Sequence, residues 1–200
     1  MATPITNLAE LQAMNDDLTD DYILSNDIDA SATQGVDWGE GGGVGFKPIG
    51  TNVAPFTGSL DGNGKVISGL YINRPTTNYV GLFGDISTGS VADLGVTDCD
   101  ITGKDYVGSL AGYTGTGTFN DCYSTGAVSG VNYVGGFCGR GGTCINCYSE
   151  CTVVGTTNYV GGFGGNAGTY VNCHASGTVS GANYVGGFLG VRPAIITTTI

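Results

Sequence analysis

Asn132-Tyr133-Val134-Gly135-Gly136-Phe137-Cys138-Gly139 is the stretch whose reading decides the fold. Its counterparts upstream are Asn78-Tyr79-Val80-Gly81-Leu82-Phe83-Gly84 and Asp105-Tyr106-Val107-Gly108-Ser109-Leu110-Ala111-Gly112. Downstream they are Asn158-Tyr159-Val160-Gly161-Gly162-Phe163 and Asn183-Tyr184-Val185-Gly186-Gly187-Phe188. The tyrosines at 79, 106, 133, 159 and 184 step by 27, 27, 26 and 25 residues. Self-similarity at a period of roughly 20–50 residues marks solenoids and related arrays. Within the run, Val134 and Phe137 are three apart, and a flat strand would send them to opposite faces. The intervening glycines can take backbone angles closed to other residues, so a bend there returns both side chains to an interior.

Two further registers lie between these copies. Ile67-Ser68-Gly69-Leu70 aligns with Val91-Ala92-Asp93-Leu94, Phe119-Asn120-Asp121-Cys122, Cys144-Ile145-Asn146-Cys147 and Tyr170-Val171-Asn172-Cys173. A shorter one runs Ile101-Thr102-Gly103, Val128-Ser129-Gly130, Val153-Val154-Gly155 and Val179-Ser180-Gly181. Three short β-prone segments per period, bounded by Gly, Asn, Asp or Thr, predict one coil of a three-sided parallel β-helix of about five coils. Coils stacked about 4.8 Å apart pair each backbone group with its neighbours above and below, and parallel crossovers make the winding right-handed. A helical repeat fails, because its windows hold several glycines at about 1 kcal/mol each.

Residues 57–190 form the repeat region, and residues 1–56 read as an N-terminal cap that shields the first coil. In the cap, Asn7-Leu8-Ala9-Glu10 has capping-box spacing, and Leu8, Leu11 and Met14 lie at helical offsets, so one short helix is expected before Asp16. Tyr22-Ile23-Leu24 and Ile28 read as strands, and Gln34 to Gly45 as a glycine-rich loop carrying Trp38. Residues 191–200 form a tail with no capping pattern, so the C-terminal end or tail is expected to meet other protein subunits.

Composition narrows the partners. Glycine contributes 38 of 200 residues, against an ordinary share of about 7%. The net charge is -11, and the six cations, Lys47, Lys65, Arg74, Lys104, Arg140 and Arg192, are scattered. Nucleic-acid binding needs clustered cations, and an anionic membrane surface needs the same. No apolar run has the length for insertion into a bilayer, and no signal peptide is visible.

The Tyr-Val-Gly-Gly-Phe runs, the Asn146-Cys147-Tyr148 segment and Gly126-Ala127-Val128-Ser129-Gly130 resemble GLUG repeats. Upstream, Tyr22 to Asp29, Pro48-Ile49-Gly50 and Phe56 to Ile67 are similar to the region that precedes such repeats. The resemblance spans residues 5 to 190. It implies a pectin-lyase-like right-handed β-helix, as in bacterial surface adhesins and the non-catalytic regions of immunoglobulin-A-cleaving metallopeptidases, and it transfers no catalytic residue.

Candidate chemistry is sparse. Cys122, Cys147 and Cys173 continue Leu70 and Leu94 in one column and read as an inward apolar ladder. Disulfides between coils need Cβ directions that stacked side chains rarely offer, and Cys144 and Cys147, with Cys138 and Cys151 nearby, are a weak zinc pattern. The five tyrosines form a second ladder that packs on itself or offers sugars a platform. The Asn or Asp before each tyrosine reads as the turn residue, tolerant of left-handed angles. Asp16, Asp17, Asp20, Asp21, Asp27, Asp29 and Asp37 read as a solvated acidic surface without an EF-hand spacing. His174 reads as an outward strand position. Thr114, Thr116 and Thr118 form the single Thr-x-Thr run, too few for an ice-binding face. No catalytic, cofactor or metal residue is assigned.

The function expected is a non-enzymatic structural or attachment solenoid. It is either a virion fibre or decoration protein, or a cell-surface adhesin module, placed on a virion surface or outside the cell. Glycans are a further partner class. The alternative is a polysaccharide lyase or glycoside hydrolase, for which Asp37, Glu40 and Asp61 are the available carboxylates.

Overall fold

The computed structural model describes residues 1–35, 38 and 42–190, and the protein is an all-β parallel solenoid with a single short N-terminal helix among them. The valine of the deciding motif shows the stacking directly. Val80 pairs with Val107, Val107 with Val134, Val134 with Val160 and Val160 with Val185, all in parallel register. The first four are fully buried. Phe137 and Phe163 are buried as well and stack at 4.7 Å, so the bend between Val and Phe does return both to the core. Gly135 and Gly161 permit it: a Cβ on either would overlap the carbonyl oxygen of Cys138 or Gly164.

Other columns build the remaining walls. Tyr22, Leu60, Val91, Phe119, Cys144 and Tyr170 stack in one buried line. Ile72, Ile101, Val128 and Val153 form another, continued by Val179. A separate three-stranded sheet, Phe83–Asp85, Ala111–Tyr113 and Cys138–Arg140, closes the coil. Each column buries apolar surface that a lone coil would leave in water, which is why stability resides in the stack.

The helix spans Leu8–Ala13. Asn7 Oδ1 accepts the Glu10 N–H at 3.0 Å, and Glu10 Oε2 accepts the Thr6 N–H at 2.7 Å, so the capping box closes one residue earlier than the usual pairing. Leu8, Leu11 and Met14 are buried. Thr3–Ile5 pairs with Asp21–Leu24, which pairs with Ser59–Ser68. The N-terminal segment therefore continues the same ladder. The tail 191–200, and part of the loop around Trp38, lie outside the described residues.

One expected alignment is corrected. Ile67 pairs with Val96, and the partner of Val91 is Leu60. The register shifts between Asp61 and Lys65, where Gly62-Asn63-Gly64 bulge out. The recurring apolar-x-x-Leu spacing matched the wrong pair. Consequently Leu70, whose carbonyl accepts the Asp100 N–H at 2.9 Å, stacks beside Cys99 and does not head the column of Cys122.

Candidate functional site

The main surface feature is the tyrosine ladder. Tyr79, Tyr106, Tyr133, Tyr159 and Tyr184 stack ring on ring with centroids 4.7–5.0 Å apart and planes within 12°. All five have left-handed backbone angles, φ 51° to 63°. This corrects the expected turn residue: the tyrosine itself occupies the left-handed position, and none of Asn78, Asp105, Asn132, Asn158 and Asn183 does. Six Asn or Asp residues among the described ones do so, Asn63, Asp93, Asp98, Asp121, Asn146 and Asn172, and four of them stand one place before Leu94, Cys122, Cys147 and Cys173. Three of these four are tied across coils, Asn146 Nδ2 donating to Asp121 Oδ1 at 3.0 Å and Asn172 Nδ2 to Asn146 Oδ1 at 3.1 Å.

Tyr113 stands edge-on to both Tyr79 and Tyr106, with centroids 6.2 Å away, and Arg140 lies 5.9 Å above the Tyr113 ring. Sequence reasoning missed this flank. A signal existed, because Asp85, Tyr113 and Arg140 follow their ladder tyrosines by six or seven residues and occupy one column. Burial pushes the Tyr79 and Tyr133 hydroxyls above their ordinary pKa, with neighbouring tyrosines adding to it. Burial also pushes Asp85 up to about 6. Its Oδ1 has no hydrogen-bond partner among the described residues.

The cysteines lie inside. Cys122, Cys147 and Cys173 each donate to the carbonyl two residues back, at 3.1, 3.2 and 3.3 Å. Cys122 and Cys147 are fully buried, Cys173 half-buried, and all seven cysteines are free thiols. Contact with the Cys122 thiol, then burial, raises Cys147 to about 12. Cys99 and Cys151 form a second contact, in which Cys99 is raised and Cys151 lowered by their mutual hydrogen bond. The Ser124 hydroxyl, 3.5 Å from the Cys151 sulfur, also lowers Cys151. No group of three His, Cys, Asp or Glu side chains suited to a metal occurs among the described residues.

The other candidates disperse. Asp61 is exposed and accepts the Asn63 N–H at 2.7 Å, while Asp37 and Glu40 lie outside the described residues. His174 is exposed and stacks at 5.1 Å on Tyr148, which stacks on Tyr123. Asp17, Asp20, Asp27 and Asp29 accept hydrogen bonds from Thr19, Thr3, Val66 and Ser31. Thr114 is buried whereas Thr116 and Thr118 are exposed, so the three share no face. No helix among the described residues is long and apolar enough to cross a membrane.

No family model matches the chain. It is 42% identical over 142 residues to halomucin of Haloquadratum walsbyi, a match covering 68% of this chain and 2% of halomucin. It is 41% identical over 95 residues to a candidate Gly-rich membrane protein of Evansella cellulosilytica, covering 46% of this chain and 10% of that protein. The chain thus matches only a small part of either relative. Among solved structures it is similar to a candidate immunoglobulin A1 protease from Bacteroides ovatus, with TM-score 0.74 and 23% identity over 98% of this chain and 63% of that one. That likeness establishes the shared solenoid fold.

Proposed function

We propose that this chain is a non-catalytic structural or attachment module of a protein displayed outside the cell, a GLUG-type solenoid that serves as a rod segment. The observation that carries the reading is the uniformity of the columns. Val80 to Val185 and Tyr79 to Tyr184 repeat the same chemistry at each of five successive windings. An active site needs one winding to differ from the rest, with a nucleophile or a carboxylate pair facing a groove. The names of the two relatives, a mucin and a membrane protein, support display at the envelope or beyond it. Adhesion to another surface is the role favoured over a virion fibre, because both relatives are cellular.

The test is turnover. The purified chain is incubated with a panel of acidic and neutral polysaccharides and with immunoglobulin A1, and reducing ends and peptide fragments are measured. No product above a heat-killed control is expected. Product that grows with time and enzyme concentration would replace this reading with the hydrolase or lyase alternative.

A further inference from the structure

A ring stacked within a ladder has both faces covered by its neighbours, so Tyr106, Tyr133 and Tyr159 offer a ligand only their edges. The alternative of a sugar platform along the ladder is therefore closed, and only the end rings have a face that no other ring covers. At the N-terminal end, Tyr106 covers one face of Tyr79 at 5.0 Å, and no other ring stacks on it. There Tyr79 lines a cavity of about 200 Å³ shared with the preceding winding, together with Pro48, Thr51, Asn52, Thr77 and Asn78. Lys47 and Arg74 also line it, two of the six cations in a chain of charge -11, and no Asp or Glu does so among the described residues.

We propose that this cavity is a saccharide site that takes one pyranose ring against the open face of Tyr79. A pyranose has a flat C–H face and a rim of hydroxyls. Tyr79 and Pro48 supply apolar walls for the first, and the amides and hydroxyls of Asn52, Asn78, Thr51 and Thr77 supply donors and acceptors for the second. The volume is below the roughly 300–1,000 Å³ of drug-sized sites, so it fits one ring and not an oligosaccharide. Arg74 is held in the wall by donation from its Nε to the Phe46 carbonyl at 3.4 Å. The inference stands on the cavity itself and does not require display at a cell surface.

Saturation-transfer NMR with the methyl glycosides of glucose, galactose and glucuronic acid tests it on the full chain. At least one glycoside is expected to receive transfer through the C–H protons of one ring face, with millimolar affinity. Tyr79→Phe keeps the aromatic face and retains binding, whereas Tyr79→Ala weakens it at least tenfold. Thr77→Trp fills the cavity from its exposed rim and gives the same loss should Tyr79→Ala fail to fold. Tyr133→Ala removes a ring with both faces covered and leaves binding unchanged. No transfer to any glycoside, or equal loss on Tyr133→Ala, overturns the proposal.

Discussion

Tyr133 carries two opposing contributions. Its φ of 55° places a side chain with a Cβ in the left-handed region, at a cost of about 1–2 kcal/mol. Its ring stacks on Tyr106 at 4.8 Å and on Tyr159 at 4.7 Å, and each aromatic pair contributes about 0.5–1.5 kcal/mol beyond burial. The two nearly offset, and the ladder persists because neighbouring coils hold it. Asparagine tolerates the left-handed angle and alanine does not. Tyr133→Asn is thus expected to be about 1 kcal/mol more stable than Tyr133→Ala in denaturant unfolding. Phe137 has no such opposing term: it is fully buried, stacked on Phe163 and edge-on to Phe119 at 5.2 Å. Phe137→Ala is expected to cost about 3–5 kcal/mol by the same measurement. Asp85 works against the fold. Its folded pKa of about 6 lies above the ordinary 3.8, so the native state binds the proton more tightly than the unfolded chain does. Stability from this group is complete below pH ~4, falls as pH rises towards ~6, and stays reduced above that. Asp85→Asn should therefore stabilise the protein near pH 7 by about 1–2 kcal/mol, discounted for solvent screening, and should have little effect below pH ~4.

Elements show how far the sequence could be read. The Tyr-Val-Gly-Gly-Phe corner was legible because glycine, valine and phenylalanine each have one physical role there, and Val134 stacks on Val107 and Val160 as expected. The winding through Ser59–Ser68 was not legible, because Gly62-Asn63-Gly64 shift the register while the apolar spacing continues unchanged. The left-handed tyrosines were hidden because propensity assigns that angle to Asn or Asp, and only stacking across coils overrides it. The end cavity under Tyr79 was invisible for a related reason: Pro48 and Tyr79 are 31 positions apart and meet only through the winding. The cysteine columns were read as apolar and are buried. Six of the seven thiols are buried and Cys173 is half-buried, and thiolate formation is opposed at Cys147 and Cys173. A chromogenic disulfide reagent should titrate at most one thiol in the native protein and all seven after guanidinium unfolding. Rapid native labelling of three or more would contradict the columns.

At the scale of the molecule, the chain has one organising interaction, repeated from Tyr22 to Tyr170: each buried side chain sits above the equivalent position of the neighbouring winding, identical in the valine column and varied but buried in the column from Tyr22 to Tyr170. Contacts of this kind act between neighbours, so energetic effects should spread by one winding and little further. The same geometry gives the surface its character, a column of ring edges along one side, with Tyr79 at its N-terminal end stacked by one ring only and lining a cavity. The central claim is that stacking, and methyl-to-methyl contacts in a valine-labelled sample measure it most directly. Nuclear Overhauser cross-peaks are expected between the methyls of Val107 and Val134 and between those of Val134 and Val160, about 4.8 Å apart by coil, with none between Val107 and Val160. Absence of the first two, or contacts from these valines to unrelated positions, would contradict the account.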